Sequence, residues 1–243
     1  MSEQIPVHHG TGPDALATAV AQEHVVILVD VLRASSTIIT ALANGAAAVI
    51  PVPTIEEAQQ RASSLPDAFL AGERETHPPP GFDFGNSPQS FLTPQIRGRL
   101  IILTTSNFTR TLGHPPETAT ILVGGFLNIE HVAATALRLH TETNHPISII
   151  SAGSPQGPSV EDDFTADHLR IRIQFNTDPP SYADPADLAR ELLVTQHGSL
   201  LVQAGYEDDI QFCAQPNRYP LTPIWHQGAF YSLAALRQQD SKS

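Results

Sequence analysis

Short apolar, β-branched runs recur along this chain at Val25 to Val29, Ala48 to Val52, Ala68 to Ala71, Leu100 to Leu103, Thr120 to Val123 and Ile147 to Ile150, mostly separated by helix-length amphipathic segments. A strand that is apolar at every position is buried on both faces. The alternation therefore predicts an α/β fold, a three-layer α/β/α arrangement around a largely parallel sheet. Helix punctuation agrees: Thr54 with Glu57 forms a capping box before Ala58 to Leu65, Asn128 can cap a helix reaching about His140, and Asp184-Pro185 opens another. Pro78 to Gly81 marks an irregular loop, and Gln238 to Ser243 reads as a frayed tail.

An internal repeat emerges at an offset of 74 residues, where Ile27-Leu28-Val29-Asp30 lies over Ile101-Ile102-Leu103-Thr104 and Thr54 to Ala58 lies over Asn128 to Val132. Leu70-Ala71-Gly72 then matches Ser151-Ala152-Gly153 at an offset of 81, the second connecting helix being longer. The expectation is two duplicated βαβαβ halves, residues 20–94 and 95–175, with a C-terminal helical layer over residues 176–237 packed on the same core. Identity between the halves is slight, so two ordinary α/β units that happen to match remain an alternative; the matching order of elements favours duplication.

Composition removes whole classes of chemistry. The 243 residues are 41% hydrophobic and 16% charged, enough for a substantial core without staples. The single cysteine, Cys213, excludes an internal disulfide framework and a Cys-rich zinc site; it reads as a small core residue in a reducing compartment. No apolar run is long enough for a membrane helix, and the opening MSEQIPVHHG has no basic-then-apolar leader, so the expectation is a soluble, cytoplasmic protein with no membrane partner. The only lysine is Lys242, which removes Schiff-base chemistry and the Walker phosphate loop. A formal net charge of −12 without a basic run argues against nucleic acid.

Polar residues gather where strands end: Asp30 to Thr37, Gly72-Glu73-Arg74 with the loop to Asn86, Thr104 to Arg110, and Glu161-Asp162-Asp163. In open α/β sheets ligands bind beyond the carboxyl ends of strands, so these clusters are expected to converge. Singly, each is explained by capping, turn chemistry or a surface ion pair. Jointly they offer carboxylates for a hard cation, with Arg33, Arg74, Arg110 and hydroxyl-rich turns for phosphate oxygens, which is what magnesium-assisted phosphoryl chemistry requires. Other phosphatase types do not fit. Asp30 is followed two residues later by Leu32, so there is no Asp-x-Asp nucleophile, and Cys213 stands five positions before Arg218, one short of a cysteine-phosphatase loop. The histidines show no metal-ligand spacing and read as surface or loop residues.

The blocks VDVLRASSTIITALANGA, AGERETHPPPGFDFGNSP, LTTSNFTR and SVEDDFTAD, in this order and spacing, resemble the 2-phosphosulfolactate phosphatase family from about residue 24 to SLLVQAGYEDDIQFC. The resemblance implies a magnesium-dependent phosphoric monoester hydrolase that converts 2-phosphosulfolactate to sulfolactate and inorganic phosphate, a step best known from coenzyme M biosynthesis. It implies Mg2+ held by Asp30, Glu73, Glu161 and Asp162; catalytic roles for Asp30, Arg33, Asn107 and Arg110; and substrate contacts from Ser35, Ser36, Arg74, Asn86, Thr105 and Thr109. Water is favoured over the Asp30 carboxylate as attacking group, since Asp30 has a competing use as ligand. The chain departs from the family pattern at Phe108, at Glu75-Thr76 and at Asp167, where glycine is usual, and all three are expected to touch the site. Two alternatives stand beside this reading: a phosphatase for another small phosphorylated hydroxy acid, and a non-catalytic anion-binding protein of the same fold. The expected partner is a small anionic phosphoester, and a homo-oligomer is left open.

Overall fold

The computed structural model describes residues 5–175 and 184–240, with side chains described as far as residue 237. Residues 176–183 of the expected helical layer, Lys242 and residues 241–243 of the expected tail lie outside this range. In chain order the elements are β1 (Val7–Thr11), α1 (Gly12–Ala21), β2 (Val25–Val29), α2 (Ala34–Ala43), β3 (Ala48–Pro51), α3 (Ile55–Ser64), β4 (Phe69–Gly72), β5 (Leu100–Thr104), α4 (Phe108–Leu112) and β6 (Ile121–Gly124). They continue with α5 (Ile129–Thr143), β7 (Ile147–Ser151), α6 (Val160–Phe175), α7 (Pro185–Leu193), α8 (Gln196–Gln203), α9 (Glu207–Cys213), β8 (Pro223–His226), β9 (Ala229–Ser232) and α10 (Leu233–Asp240). Every expected apolar run is a strand.

Among the described residues the strands form one nine-stranded sheet in the order β1-β7-β2-β6-β8-β9-β3-β5-β4. All pairings are parallel except those that β8 and β9 make with each other and with their neighbours β6 and β3. The sheet is buried on both sides because strand residues alternate between two cores. Val26 and Leu28 of β2 face α1, α2 and α4 through Leu16, Ile38, Ile39 and Phe108. Val25, Ile27 and Val29 face α5, α6, α7 and α9 through Val132, Leu169, Leu188 and Ile210. This is the three-layer α/β/α arrangement.

The residues of the two expected halves do not make two separate sheets. β2 lies between β7 and β6, while β5 lies between β3 and β4, so each central strand is flanked by strands of the other half. The pairing pattern is unchanged when β2, β3 and β4 are exchanged for β5, β6 and β7. The hairpin of β8 and β9 sits at the junction, its Trp225 and Phe230 rings in edge contact at 5.4 Å. The expected helical layer thus also supplies two strands. Each is only four residues long, too short to show a period. Their signal lay in Gln227-Gly228, both at positive φ (47° and 82°), as a tight two-residue hairpin turn requires. β1 was equally hidden, because His8, His9 and Gly10 break its apolar pattern.

Two local outcomes bear on the site. Thr54 caps α3 as expected, its hydroxyl accepting from the Glu57 amide at 3.0 Å. Asn128 stands at the start of α5 but does not cap it: Oδ1 accepts from Gly125 N at 3.1 Å and Nδ2 donates to the carbonyls of Val123 and Leu221, each at 3.1 Å. A buried amide surrounded by unpaired backbone groups satisfies those first.

Candidate active site

Right-handed twist of about 20–25° per strand accumulates across the five steps from β2 to β5, so the carboxyl ends of the two lobes are not forced to opposite edges. Hydrogen bonds show that they meet. Ser106, just past β5, donates its amide to Glu73 Oε1 at 2.8 Å, and Arg33, just past β2, donates Nη2 to the Thr76 carbonyl past β4 at 2.9 Å. Asp162, at the start of α6, accepts from Val31 N at 2.9 Å and Gly153 N at 3.3 Å, joining the ends of β2 and β7.

The turn after β2 is closed by its own side chains. Ser35 Oγ accepts from Asp30 N at 2.8 Å, Asp30 Oδ1 accepts from Ala34 N at 3.3 Å, and Ser36 donates to the Val31 carbonyl at 2.9 Å. The turn after β5 repeats the frame with hydroxyls: Thr109 Oγ1 accepts from Thr105 N at 3.1 Å and Thr105 Oγ1 accepts from Thr109 N at 3.3 Å. This correspondence pairs Asp30 with Thr105, one residue further along than the sequence offset places it. β4 and β7 end alike, in tight turns that pair Arg74 with His77 and Ser154 with Gly157. Gly72 must lack a side chain there, since a Cβ would stand 1.9 Å from the Thr104 carbonyl oxygen.

A cavity of about 330 Å3 opens between these turns. Asp30, Glu73 and Glu161 line it with Arg33, Asn86 and Asn107, joined by Glu75, Thr76 and Ser106, by residues of the 154–160 segment and by His197 of α8. Burial pushes the Asp30 carboxyl up to about 7, and the charges of Glu73 and Glu161 add to the rise against backbone hydrogen bonds from Ala34 and Phe108. Burial likewise raises Asp162 well above the usual range, helped by Asp30 and Glu161. His197 is lowered by burial, with Arg33 acting in the same direction and Glu161 and Glu73 opposing.

Several expected residues stand elsewhere. Arg74 does not line the cavity: it donates to the carbonyls of Glu73 (2.7 Å) and Pro53 (3.2 Å) and to Thr104 Oγ1 (2.9 Å), tying the strand ends together from behind. Arg110 also lies outside the lining, with Nε and Nη2 buried and unpaired among the described residues. Ser35, Ser36, Thr105 and Thr109 spend their hydroxyls on the backbone of the turns, and both oxygens of Asp162 are taken by amides. They build the frame around the site. Of the three departures from the family pattern, only Glu75-Thr76 reaches the cavity. Phe108 is a fully buried core ring against Phe230 at 5.9 Å, and Asp167 is exposed on α6, paired with Arg170 at 3.0 Å. Cys213 is buried, its thiol pushed up to about 12 by that burial, which suits a core residue.

His197, Gln196 and Gln156 line the cavity without having been singled out in the sequence. They come from the loop after β7 and from α8, remote in sequence, and carried no motif. Asp209 was missed too. Its signal was an acidic residue on the buried side of α9, next to Ile210 and just before Phe212 and Cys213.

Among the described residues no three His, Cys, Asp or Glu side chains stand close enough to ligate one ion together. Mg2+ does not need such a cage, since it keeps several waters and takes one or two carboxylates. The donor chemistry therefore fits: Asp30, Glu73 and Glu161 line the same cavity, and the charges of Glu73 and Glu161 add to the upward shift that burial gives Asp30, a repulsion that a cation would relieve.

A sequence model of the family described as 2-phosphosulpholactate phosphatase matches residues 13–228. The chain is 34% identical over 227 residues to the probable 2-phosphosulfolactate phosphatase of Pseudothermotoga lettingae, covering 90% of this chain and 97% of that one. Identity to the protein of the same name in Thermotoga maritima is 32% over 212 residues (84% and 90% of the two chains), and in Symbiobacterium thermophilum 34% over 218 residues (84% and 92%).

Proposed function

The chain belongs to the 2-phosphosulpholactate phosphatase family, and from that premise we propose that it is a Mg2+-dependent cytoplasmic phosphatase that hydrolyses 2-phosphosulfolactate to sulfolactate and inorganic phosphate. The observation that carries the reading is the meeting of Asp30, Glu73 and Glu161 with Arg33, Asn86 and Asn107 in one cavity at strand carboxyl ends. Charge supports the cation. The lining holds the carboxylates of Asp30, Glu73, Glu75 and Glu161, while its guanidinium, Arg33, is already paired with Asp209 at 2.8 Å. A ligand bearing phosphate, carboxylate and sulfonate needs a counter-charge the side chains do not supply.

One or two of Asp30, Glu73 and Glu161 would hold Mg2+, with water completing its shell, and the bound ion would neutralise the phosphate and act on it as a Lewis acid. Asp162 is left out because it does not line the cavity, its oxygens being held by two amides. The chain's own part is positioning: Arg33 presents a fixed guanidinium to the phosphoryl oxygens, and the amides of Asn86 and Asn107 orient the acid groups. Asn86 is 4% exposed and its Oδ1 has no partner among the described residues, so as an acceptor it can take a donor such as the attacking water. Water is the attacking group, with Asp30 kept for the cation. A second reading, a different small phosphorylated hydroxy acid, is favoured by Glu75, whose carboxylate adds to the wall.

Phosphate release from 2-phosphosulfolactate that requires Mg2+ and disappears in Asp30→Ala supports the first reading. Release only from other phosphorylated hydroxy acids supports the second. Thermal stabilisation by the ligand without turnover leaves a non-catalytic anion-binding protein.

A further inference from the structure

Arg33 is the guanidinium of the cavity wall, yet it is only 2% exposed, and its surroundings explain how it is held. Nη1 donates to Asp209 Oδ2 at 2.8 Å, Nη2 donates to the Thr76 carbonyl at 2.9 Å, and the guanidinium carbon lies 4.1 Å from the centre of the Tyr206 ring. Asp209 is itself fixed, its Oδ1 accepting from Ser87 Oγ at 2.6 Å and Gln89 Nε2 at 3.3 Å. Three chain segments far apart in sequence thus clamp one side chain: the turn after β4, the 87–89 segment, and α9 with the residue before it. Asp209, Tyr206, Ser87 and Gln89 are absent from the cavity lining, so whatever they do to a ligand they do through Arg33.

We propose that Asp209 is a positioning residue for the phosphatase reaction, holding the Arg33 guanidinium in the one orientation that meets the phosphoryl group, with Tyr206 as its stacking support. This rests on the reading of the cavity as a phosphoryl site. The argument is one of pre-organisation. A free arginine can bind an anion in many rotamers, whereas a planar fork already paired on one edge and stacked on one face presents only its remaining donors. Such a group stabilises the transferring phosphoryl without having to reorganise at the moment of reaction. The carboxylate also offsets the charge of Arg33. Losing it should weaken turnover far more than ground-state attraction for anions, which the unmasked cation retains.

The decisive variant is Asp209→Asn, which keeps the shape and one acceptor; Ser87→Ala loosens the same carboxylate from outside. Expected for Asp209→Asn is a fall in kcat of about 10-fold to 100-fold, as for misplacement by about an ångström, with KM within about threefold and a folded protein by thermal melt. Arg33→Lys should lose a similar amount, and the double variant should be no worse than Arg33→Lys alone. Ser87→Ala should shift kcat the same way by less. Wild-type kcat in Asp209→Asn, a rise in KM with kcat kept, or additive losses in the double variant overturns the proposal. Should the wild-type protein hydrolyse no phosphorylated hydroxy acid, the functional reading fails instead, and a crystal structure of Asp209→Asn judges the clamp: the guanidinium leaving the Thr76 carbonyl and Tyr206 ring supports it, and an unmoved guanidinium overturns it.

Discussion

The turns after β2 and β5 are built on one frame and put to different uses. In each, a side-chain oxygen on the first residue accepts from the amide four residues on, and a hydroxyl one turn later accepts from the first residue's own amide. After β2 the first residue is Asp30, whose carboxylate is driven up to about 7 by burial and by neighbouring acids. After β5 it is Thr105, whose hydroxyl closes on Thr109 and leaves no charge behind. A buried turn that satisfies itself with hydroxyls is stable and inert. The same turn with a carboxylate carries an electrostatic cost that a proton or a cation can relieve.

That contrast can be broken from either side. Asp30→Asn should lose activity on the order of 10²–10³-fold while its melting temperature does not fall, because a costly buried charge is removed; retained phosphate release would remove Asp30 from the chemistry. Thr109→Val at the matching turn should cost about 1–2 kcal/mol by chemical denaturation, the price of an unsatisfied buried donor, with phosphate release nearly unchanged.

The sign of the pH dependence sharpens the contrast further. Asp30 binds protons more tightly in the folded chain than at its ordinary 3.8, so its contribution to stability falls as pH rises from 3.8 toward about 7, and Asp30→Asn should flatten that limb of a melting-temperature profile. His24, near the amino end of β2, works in the opposite direction. Its burial, with His8 and His145 nearby, lowers its pKa, so stability drops as pH falls below 6.5, and His24→Gln should reduce the acid-side loss. A profile unaltered in both variants would show that neither shift contributes. The smallest effect belongs to the paired turns after β4 and β7: Glu75, at φ 51°, is in a left-handed conformation that glycine adopts freely. Glu75→Gly should raise stability by about 0.5–1 kcal/mol, measured by urea denaturation; a loss would mean that the Glu75 side chain makes a contact worth more than the strain.

The clusters at strand ends were legible because a polar run directly after an apolar strand is visible in one dimension, and Asp30, Glu73, Glu161, Asn86 and Asn107 do line one cavity. The arginines were not legible in the same way. Arg33, Arg74 and Arg110 look alike in sequence, each shortly after a strand, yet Arg33 lines the cavity, Arg74 binds backbone carbonyls outside the lining, and Arg110 is half-buried outside it with two guanidinium nitrogens enclosed. A long flexible side chain can point several ways from one Cα, and the choice is made by acceptors that other segments supply. Asp162 illustrates the same limit: its neighbour Glu161 lines the cavity, while Asp162, one helical step on, is taken by two amides.

The amino-acid order by itself settled the α/β class, the positions of six strands and the strand ends between which the cavity opens, because hydrophobic period and capping are local and each is encoded within about ten residues. Only tertiary structure decided how the strands interleave across the two halves, how β8 and β9 join them, and which charged groups face the cavity. Those outcomes depend on pairings between segments separated by dozens of residues, such as Arg33 with Asp209, and nothing in the neighbourhood of either residue announces its partner.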